Sequence, residues 1–309
     1  MLSMLVCTIG IYTVPREGSP PVVFVFGGGG ARTAAVAGAA AALFEAGIRP
    51  DYIVGSSMGF VVGGLIGAGV HPQEICSYFE SGRLMNAFLP VPPALRLLTL
   101  PYVMLQHLAG RPPYDGLYGG GALRRFLNQV VTNDQMQIEE WDIPVAASVF
   151  NLLTGRSELM DRGEFGLVAS ASTAVPALFR PVEIGDGLYL DGGVLDNLPV
   201  RAGRETADAL GGGIVIAVNV NEPAIRHRHD HFRKTVNATF RVMSAHYQLT
   251  DGPQELLADV VVRAEVPMRM TSKNKNEIIS AITTGAHAAQ EALPEIRACI
   301  ARQSIPALI

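Results

Sequence analysis

The sequence predicts a doubly wound α/β domain, and three strand-to-glycine junctions carry that prediction. The apolar run Pro21-Val22-Val23-Phe24-Val25-Phe26 ends in four glycines, Gly27 to Gly30. Tyr52-Ile53-Val54 runs directly into Gly55-Ser56-Ser57-Met58-Gly59. Gly187 to Leu190 runs into Asp191-Gly192-Gly193.

The first run is short, unbroken, β-branched and aromatic, the pattern of a parallel strand buried on both faces. Ala34 to Ala46 is alanine-rich and stops at Gly47, so it reads as a helix with a C′ glycine. Tyr52–Val54 is the second strand, and Met58 to Ala68 the second helix. Residues 84–113 break this rhythm, because six prolines interrupt Leu, Val, Met and Phe and charges are few. Two readings of that segment stay open: an apolar cap-like insertion that touches acyl chains or membrane, or a hydrophobic crossover packed on the core.

Further on, Tyr118 to Val131 reads as an amphipathic helix and Pro144 to Phe150 as a strand. Gly166 to Thr173 opens a small-residue helix that Pro176 ends. Gly213 to Val220 is a buried strand, and Ala224 to Leu249 a long helix. Asp259 to Val266 is the last strand, and Asn276 to Ile296 holds the last helices. No repeat or linker divides the chain. One catalytic domain over residues 21–300 is expected, preceded by an arm or added strand at 1–20.

The 309 residues are 49% hydrophobic and only 17% charged, with a mean hydropathy of +0.26. Such a chain can bury a large core or carry a lipid-facing surface. A net charge of −4 argues against nucleic acid as a partner. Cys7, Cys76 and Cys299 are scattered, with neither disulfide nor metal spacing, so no metal and no cofactor are expected. The apolar stretch Met1 to Thr13 lacks a basic flank and a cleavage pattern, and no run is long enough to cross a bilayer. A cytoplasmic or peripheral-membrane location is expected, with signal-independent export left open.

Gly55-Ser56-Ser57-Met58-Gly59 is a G-x-S-x-G pentapeptide between strand and helix, the setting of a nucleophile elbow. Its glycines allow a sharp turn that exposes Ser57 at a helix N-terminus, where amides favour developing negative charge. The Gly27–Gly30 run lets backbone amides converge on an anion, as a phosphate cradle or an oxyanion hole. A Walker A loop is excluded because no Lys-Ser/Thr follows. A dinucleotide fingerprint is disfavoured, since its sixth position falls on Thr33 or Arg32 rather than glycine.

Histidine is the usual base for such a serine, yet the loop after the last strand, Val266 to Asn276, contains none. His227, His229 and His231 alternate with Arg and Asp and read as a solvated face. A Ser-Asp dyad is the alternative, with Asp191 taking the Ser57 proton directly. Partial burial would raise the carboxylate pKa and suit it to that task.

These residues resemble the patatin-like phospholipases, which share their catalytic logic with cytosolic phospholipase A2. The family's D-G-G-G-x-R/K-G is similar to Gly27-Gly28-Gly29-Gly30-Ala31-Arg32-Thr33, and its G-x-S-x-G to Gly55–Gly59. Its small-residue segment with a following proline is similar to Ala169–Pro176. Its D-G-G/A is similar to Asp191–Gly193, and Asp196-Asn197-Leu198-Pro199 continues the likeness. Gly27 stands in place of the usual Asp, and Thr33 in place of the last Gly. The resemblance implies a three-layer α/β/α fold with a mostly parallel sheet and a Ser-Asp dyad. It further implies Ser57 as nucleophile, Asp191 as base and Gly28, Gly29 and Gly30 as the oxyanion hole. Arg32 either holds the loop or meets a lipid phosphate. The implied activity is lipid acyl-ester hydrolysis on phospholipid or other acyl esters, with peripheral membrane contact. A thioesterase or acyltransferase on the same dyad, and a non-catalytic lipid-binding module, are the rival readings.

Overall fold

The computed structural model describes residues 19–90, 105, 116, 118–131, 136–220 and 235–304. In chain order, β1 (Val22–Phe26) leads through the 3-10 turn Gly30–Thr33 into α1 (Ala34–Glu45). β2 (Tyr52–Ser56) turns at Ser57 into α2 (Met58–Gly67), followed by α3 (Pro72–Glu80) and α4 (Arg83–Phe88). α5 (Gly121–Val130) precedes β3 (Val145–Asn151), β4 (Arg156–Met160) and α6 (Phe165–Ser172). Then come the hairpin β5 (Val182–Ile184) and β6 (Gly187–Asp191), α7 (Val200–Ala209) and β7 (Ile214–Asn219). α8 (Thr235–Glu255), β8 (Val260–Arg263) and α9 (Lys275–Gln303) follow.

The sheet runs β5-β6-β3-β2-β1-β7-β8, with β4 also paired to β3. β3, β2, β1, β7 and β8 are mutually parallel, while β4, β5 and β6 run antiparallel. Chain order reverses on the two sides of β1, so the carboxyl ends of β1 and its neighbours open a crevice there. β1 is buried along its whole length, as its unbroken apolar run requires. Val22, Phe24 and Phe26 face the larger core under α1, α2 and α9. Val23 and Val25 face the smaller core under α7. The expected three-layer α/β/α architecture, with a mostly parallel sheet, is the one the chain adopts.

α9 closes tightly on α1. A Cβ at Gly285 would lie 1.9 Å from the Ala35 carbonyl oxygen, so only glycine lets the backbones approach this closely. Asn274 caps α9, its side chain accepting from the amides of Asn276 and Glu277. Gly47 ends α1 at φ +81°, the left-handed conformation expected of a C′ glycine.

The structure departs from the sequence reading in places. β4 is mostly exposed and polar, so it carries none of the apolar signal that marks a buried strand. β5 and α7 were likewise not anticipated. α8 runs past Leu249 to Glu255 because Pro253 sits in its last turn, where one missing amide removes little. α9 continues unbroken through Pro294. Residues 1–18 of the arm, 91–104 and 106–115 of the cap-like segment and 221–234 before α8 lie outside the described residues.

Candidate active site

Three junctions deliver the site. The first is the elbow. Ser57 has φ 53° and ψ −132°, a conformation that glycine adopts freely and serine only under strain, at a cost of about 1–3 kcal/mol. The tight turn is possible because Gly59 has no side chain: a Cβ there would lie 2.4 Å from the Gly27 carbonyl oxygen. Ser57 precedes α2 directly, and all ten residues of α2 are buried. Its amide donates to Ser172 Oγ at 2.9 Å, and that hydroxyl donates to the Ser148 carbonyl at 2.8 Å. Ser172, at the end of α6, thus pins the elbow to β3.

The second junction is the end of β6. Val149 of β3 pairs with Asp191, and Ser148 beside it pairs with Ser56. β4 occupies the other edge of β3, so β2 and β6 share one edge and meet there end to end. This places Asp191 beside the elbow. Ser57 Oγ donates to Asp191 Oδ2 at 2.6 Å, and Gly193 N donates to Asp191 Oδ1 at 2.8 Å. Asp191 is 1% exposed and Ser57 5%. Burial pushes the Asp191 carboxyl up to about 7, against the downward pull of the Ser57 and Gly193 hydrogen bonds.

The third junction is the glycine loop after β1. Gly29 and Gly30 line the cavity that holds Ser57 and Asp191, both with positive φ. The Gly28 amide, however, donates to the Asn197 carbonyl at 3.1 Å. This corrects the expectation of three donors, because an amide already bonded inside the protein is not free for a substrate oxygen. The remainder of the cavity is apolar, formed by Phe88, Val175, Leu178, Met243 and Met270.

A model of the patatin-like phospholipase family matches residues 24–203, more than half of the chain. The chain belongs to the patatin-like phospholipase family. Over 208 residues it is 33% identical to an uncharacterised NTE family protein of Mycobacterium tuberculosis, covering 67% of this chain and 51% of that one. Lysophospholipase NTE1 of Cryptococcus neoformans is 30% identical over 184 residues, 59% of this chain and 10% of the relative. The chain therefore spans about half the length of the mycobacterial relative it matches. Among solved structures, VipD from Legionella pneumophila aligns at a TM-score of 0.48 and 14% identity, covering 90% of this chain and 67% of that one.

Within the patatin-like domain, Arg32 does not face the cavity. It is 5% exposed, with Nε donating to the Met268 carbonyl at 2.8 Å and a guanidinium nitrogen reaching Ser244 Oγ at 3.5 Å. Of its two expected roles, holding the loop is the one this geometry serves. The substrate-phosphate role is corrected, because the side chain is turned into the protein. None of the described histidines lines the cavity; His246 sits on α8 with Nε2 2.8 Å from the Val194 carbonyl oxygen. Among the described residues no cluster of His, Cys, Asp or Glu is arranged to hold a metal ion. No described helix is long and apolar enough to cross a membrane.

Sequence reasoning missed the wall contributed by α8. Met243 and Tyr247 line the cavity, one helical turn apart, and Asp251 lies one turn further on. Burial, then the charges of Asp191 and Asp251, push the Tyr247 phenol well above its usual range, so its hydroxyl stays protonated. The spacing of Met243, Tyr247 and Asp251 was the available signal, but it says nothing of what the helix face meets.

Proposed function

We propose that this chain is a serine lipid acyl hydrolase. The observation that carries the reading is the 2.6 Å hydrogen bond from Ser57 Oγ to a buried carboxylate, Asp191, whose pKa lies near neutrality. A base tuned to about 7 takes a hydroxyl proton far better than one at the ordinary carboxylate value. Family membership supports the reaction class, and the apolar walls of the cavity support an acyl chain as the group held there.

In this reading Ser57 Oγ attacks the ester carbonyl while its proton passes to Asp191 Oδ2. The oxyanion formed is met by the Gly29 and Gly30 amides and by the dipole at the start of α2. The intermediate collapses, the ester bond breaks, and Asp191 returns the proton to the leaving alkoxide. Water then attacks the acyl-enzyme, giving its proton to Asp191 and releasing the fatty acid with Ser57 restored. Losing one oxyanion donor costs about 3–4 kcal/mol in such reactions, so the glycine loop contributes as much as the base. The substrate class is a phospholipid or other acyl ester presented at a lipid surface.

Fluorophosphonate labelling and hydrolysis of short and long acyl esters test this. The expected result is labelling at Ser57 and hydrolysis that Ser57→Ala abolishes. Hydrolysis that persists in Ser57→Ala removes Ser57 as nucleophile.

A further inference from the structure

Behind the cavity, α8 grips the glycine loop at two points, both outside the segment that the family model matches. One is Ser244, reached by Arg32. The other is Asp251, whose Oδ2 accepts from Asn197 Nδ2 at 3.0 Å. Asn197 is wedged between the two glycine turns of the site. Its carbonyl holds the Gly28 amide, and its Oδ1 fills the space where a Cβ of Gly28 would lie at 2.6 Å. The chain of contacts from Asp251 through Asn197 to Gly28 therefore sets where the next two amides point.

Asp251 is 1% exposed, and no positive charge faces it among the described residues. Its neighbours are Tyr247 and Glu255 on its own helix, Asp196 and Asn197 on the loop, and Asn219 at the end of β7. Glu255 and Asp196 both disfavour a second negative charge, and burial, the largest cause, pushes the Asp251 carboxyl up to about 7. Two buried acceptors lack a partner among the described residues: Asp251 Oδ1 and Asn219 Oδ1. The Asn219 orientation is determined by its Nδ2, which donates to Glu255 at 2.9 Å and so leaves the oxygen on the other side. A proton on Asp251 Oδ1 gives both orphan oxygens a bond, whereas an ionised Asp251 leaves both without one.

We propose that Asp251 works as a neutral acid, donating to Asn219 and accepting from Asn197, and is thereby a positioning residue for the Gly28–Gly30 loop. The inference rests on the hydrolase reading for its kinetic consequence, not for the bridge itself. The bridge joins β7, α8 and the loop after β6 behind the oxyanion donors, with no group of its own touching substrate.

The test compares Asp251→Asn and Asp251→Leu in the full chain. An asparagine amide can donate to Asn219 and accept from Asn197, so it replaces a neutral acid and not a carboxylate. Expected for Asp251→Asn is a kcat within about threefold of wild type, while Asp251→Leu loses on the order of tenfold or more in kcat with KM little changed. Amide hydrogen exchange over the peptide containing Gly27–Arg32 should be wild-type in Asp251→Asn and faster in Asp251→Leu. An Asp251→Asn variant as impaired as Asp251→Leu overturns the neutral acid. A folded Asp251→Leu with unchanged kcat and unchanged exchange overturns the positioning role. Should Asp251→Leu not fold, Asp251→Asn alone decides, since an ionised role predicts its failure. If wild type neither hydrolyses esters nor reacts with fluorophosphonate, the hydrolase reading falls, and the exchange comparison still judges the bridge.

Discussion

Ser57 and Asp191 stand 134 positions apart in the chain, yet the hydroxyl of one donates to the carboxylate of the other at 2.6 Å. β3 brings them together. Its consecutive residues Ser148 and Val149 pair with Ser56 at the end of β2 and Asp191 at the end of β6. Two strands that share one edge of a third, meeting end to end, deliver a nucleophile and a base without a histidine between them. The burial that follows from this position also tunes the carboxyl, because desolvation is the largest cause of its raised pKa.

The pH dependence of hydrolysis should report that tuning. Asp191 must be ionised to accept the proton, so kcat/KM is expected to rise with pH and to level off above an apparent pKa of about 7. Asp191→Asn should lower the rate by on the order of 10³-fold. A profile already flat from pH 5 to 9 would sink the assignment of Asp191 as base.

The same carboxyl should make stability depend on pH. Its folded pKa is raised to about 7 from 3.8, so between these values the native state holds a proton that the unfolded chain releases. Stability from this group is full below the unfolded value and is lost as pH rises through about 7. Asp191→Asn removes the buried charge and should therefore exceed wild type in stability at pH 8, by on the order of 2–4 kcal/mol. The difference should shrink towards pH 4. Thermal unfolding of both proteins across that range checks the sign.

Strain at the elbow predicts an ordering of two inactive variants. Ser57→Gly and Ser57→Ala both remove the hydroxyl, but only glycine relaxes at φ 53° and ψ −132°. Ser57→Gly should be more stable than Ser57→Ala by about 1–2 kcal/mol. Equal melting temperatures would mean that the backbone is not strained there.

Two glycine substitutions should act in opposite directions. At Gly285 a Cβ would lie 1.9 Å from the Ala35 carbonyl oxygen, so Gly285→Ala should force α9 away from α1 at a cost of about 1–3 kcal/mol. At Gly252, in exposed α8, a Cβ meets nothing within 4 Å. Gly252→Ala should stabilise by about 0.5–1 kcal/mol. Urea unfolding midpoints separate the two.

Much of the site was legible before the fold was known. Glycine runs after apolar strands mark where a backbone turns sharply, and those turns hold Ser57, Asp191 and the Gly29–Gly30 amides. Arg32 was harder, since a guanidinium in a glycine loop reads equally well as a ligand or as a brace. Its burial against Met268 and Ser244 separates those roles, and both partners lie more than 200 residues away. Gly28 shows the same limit: identical in sequence to its neighbours, it differs only in having its amide bonded to Asn197.

Local sequence by itself determined the strands, the turns between them, and which side chains had chemistry to offer, because hydrophobic period and glycine placement act over a few residues. Tertiary structure alone decided which of those groups meet. The shared edge of β3, the wall formed by α8, and the burial that raises Asp191 and Asp251 all arise from pairing and packing between distant segments. Those contacts depend on the whole core closing at once, and no short window of sequence contains them.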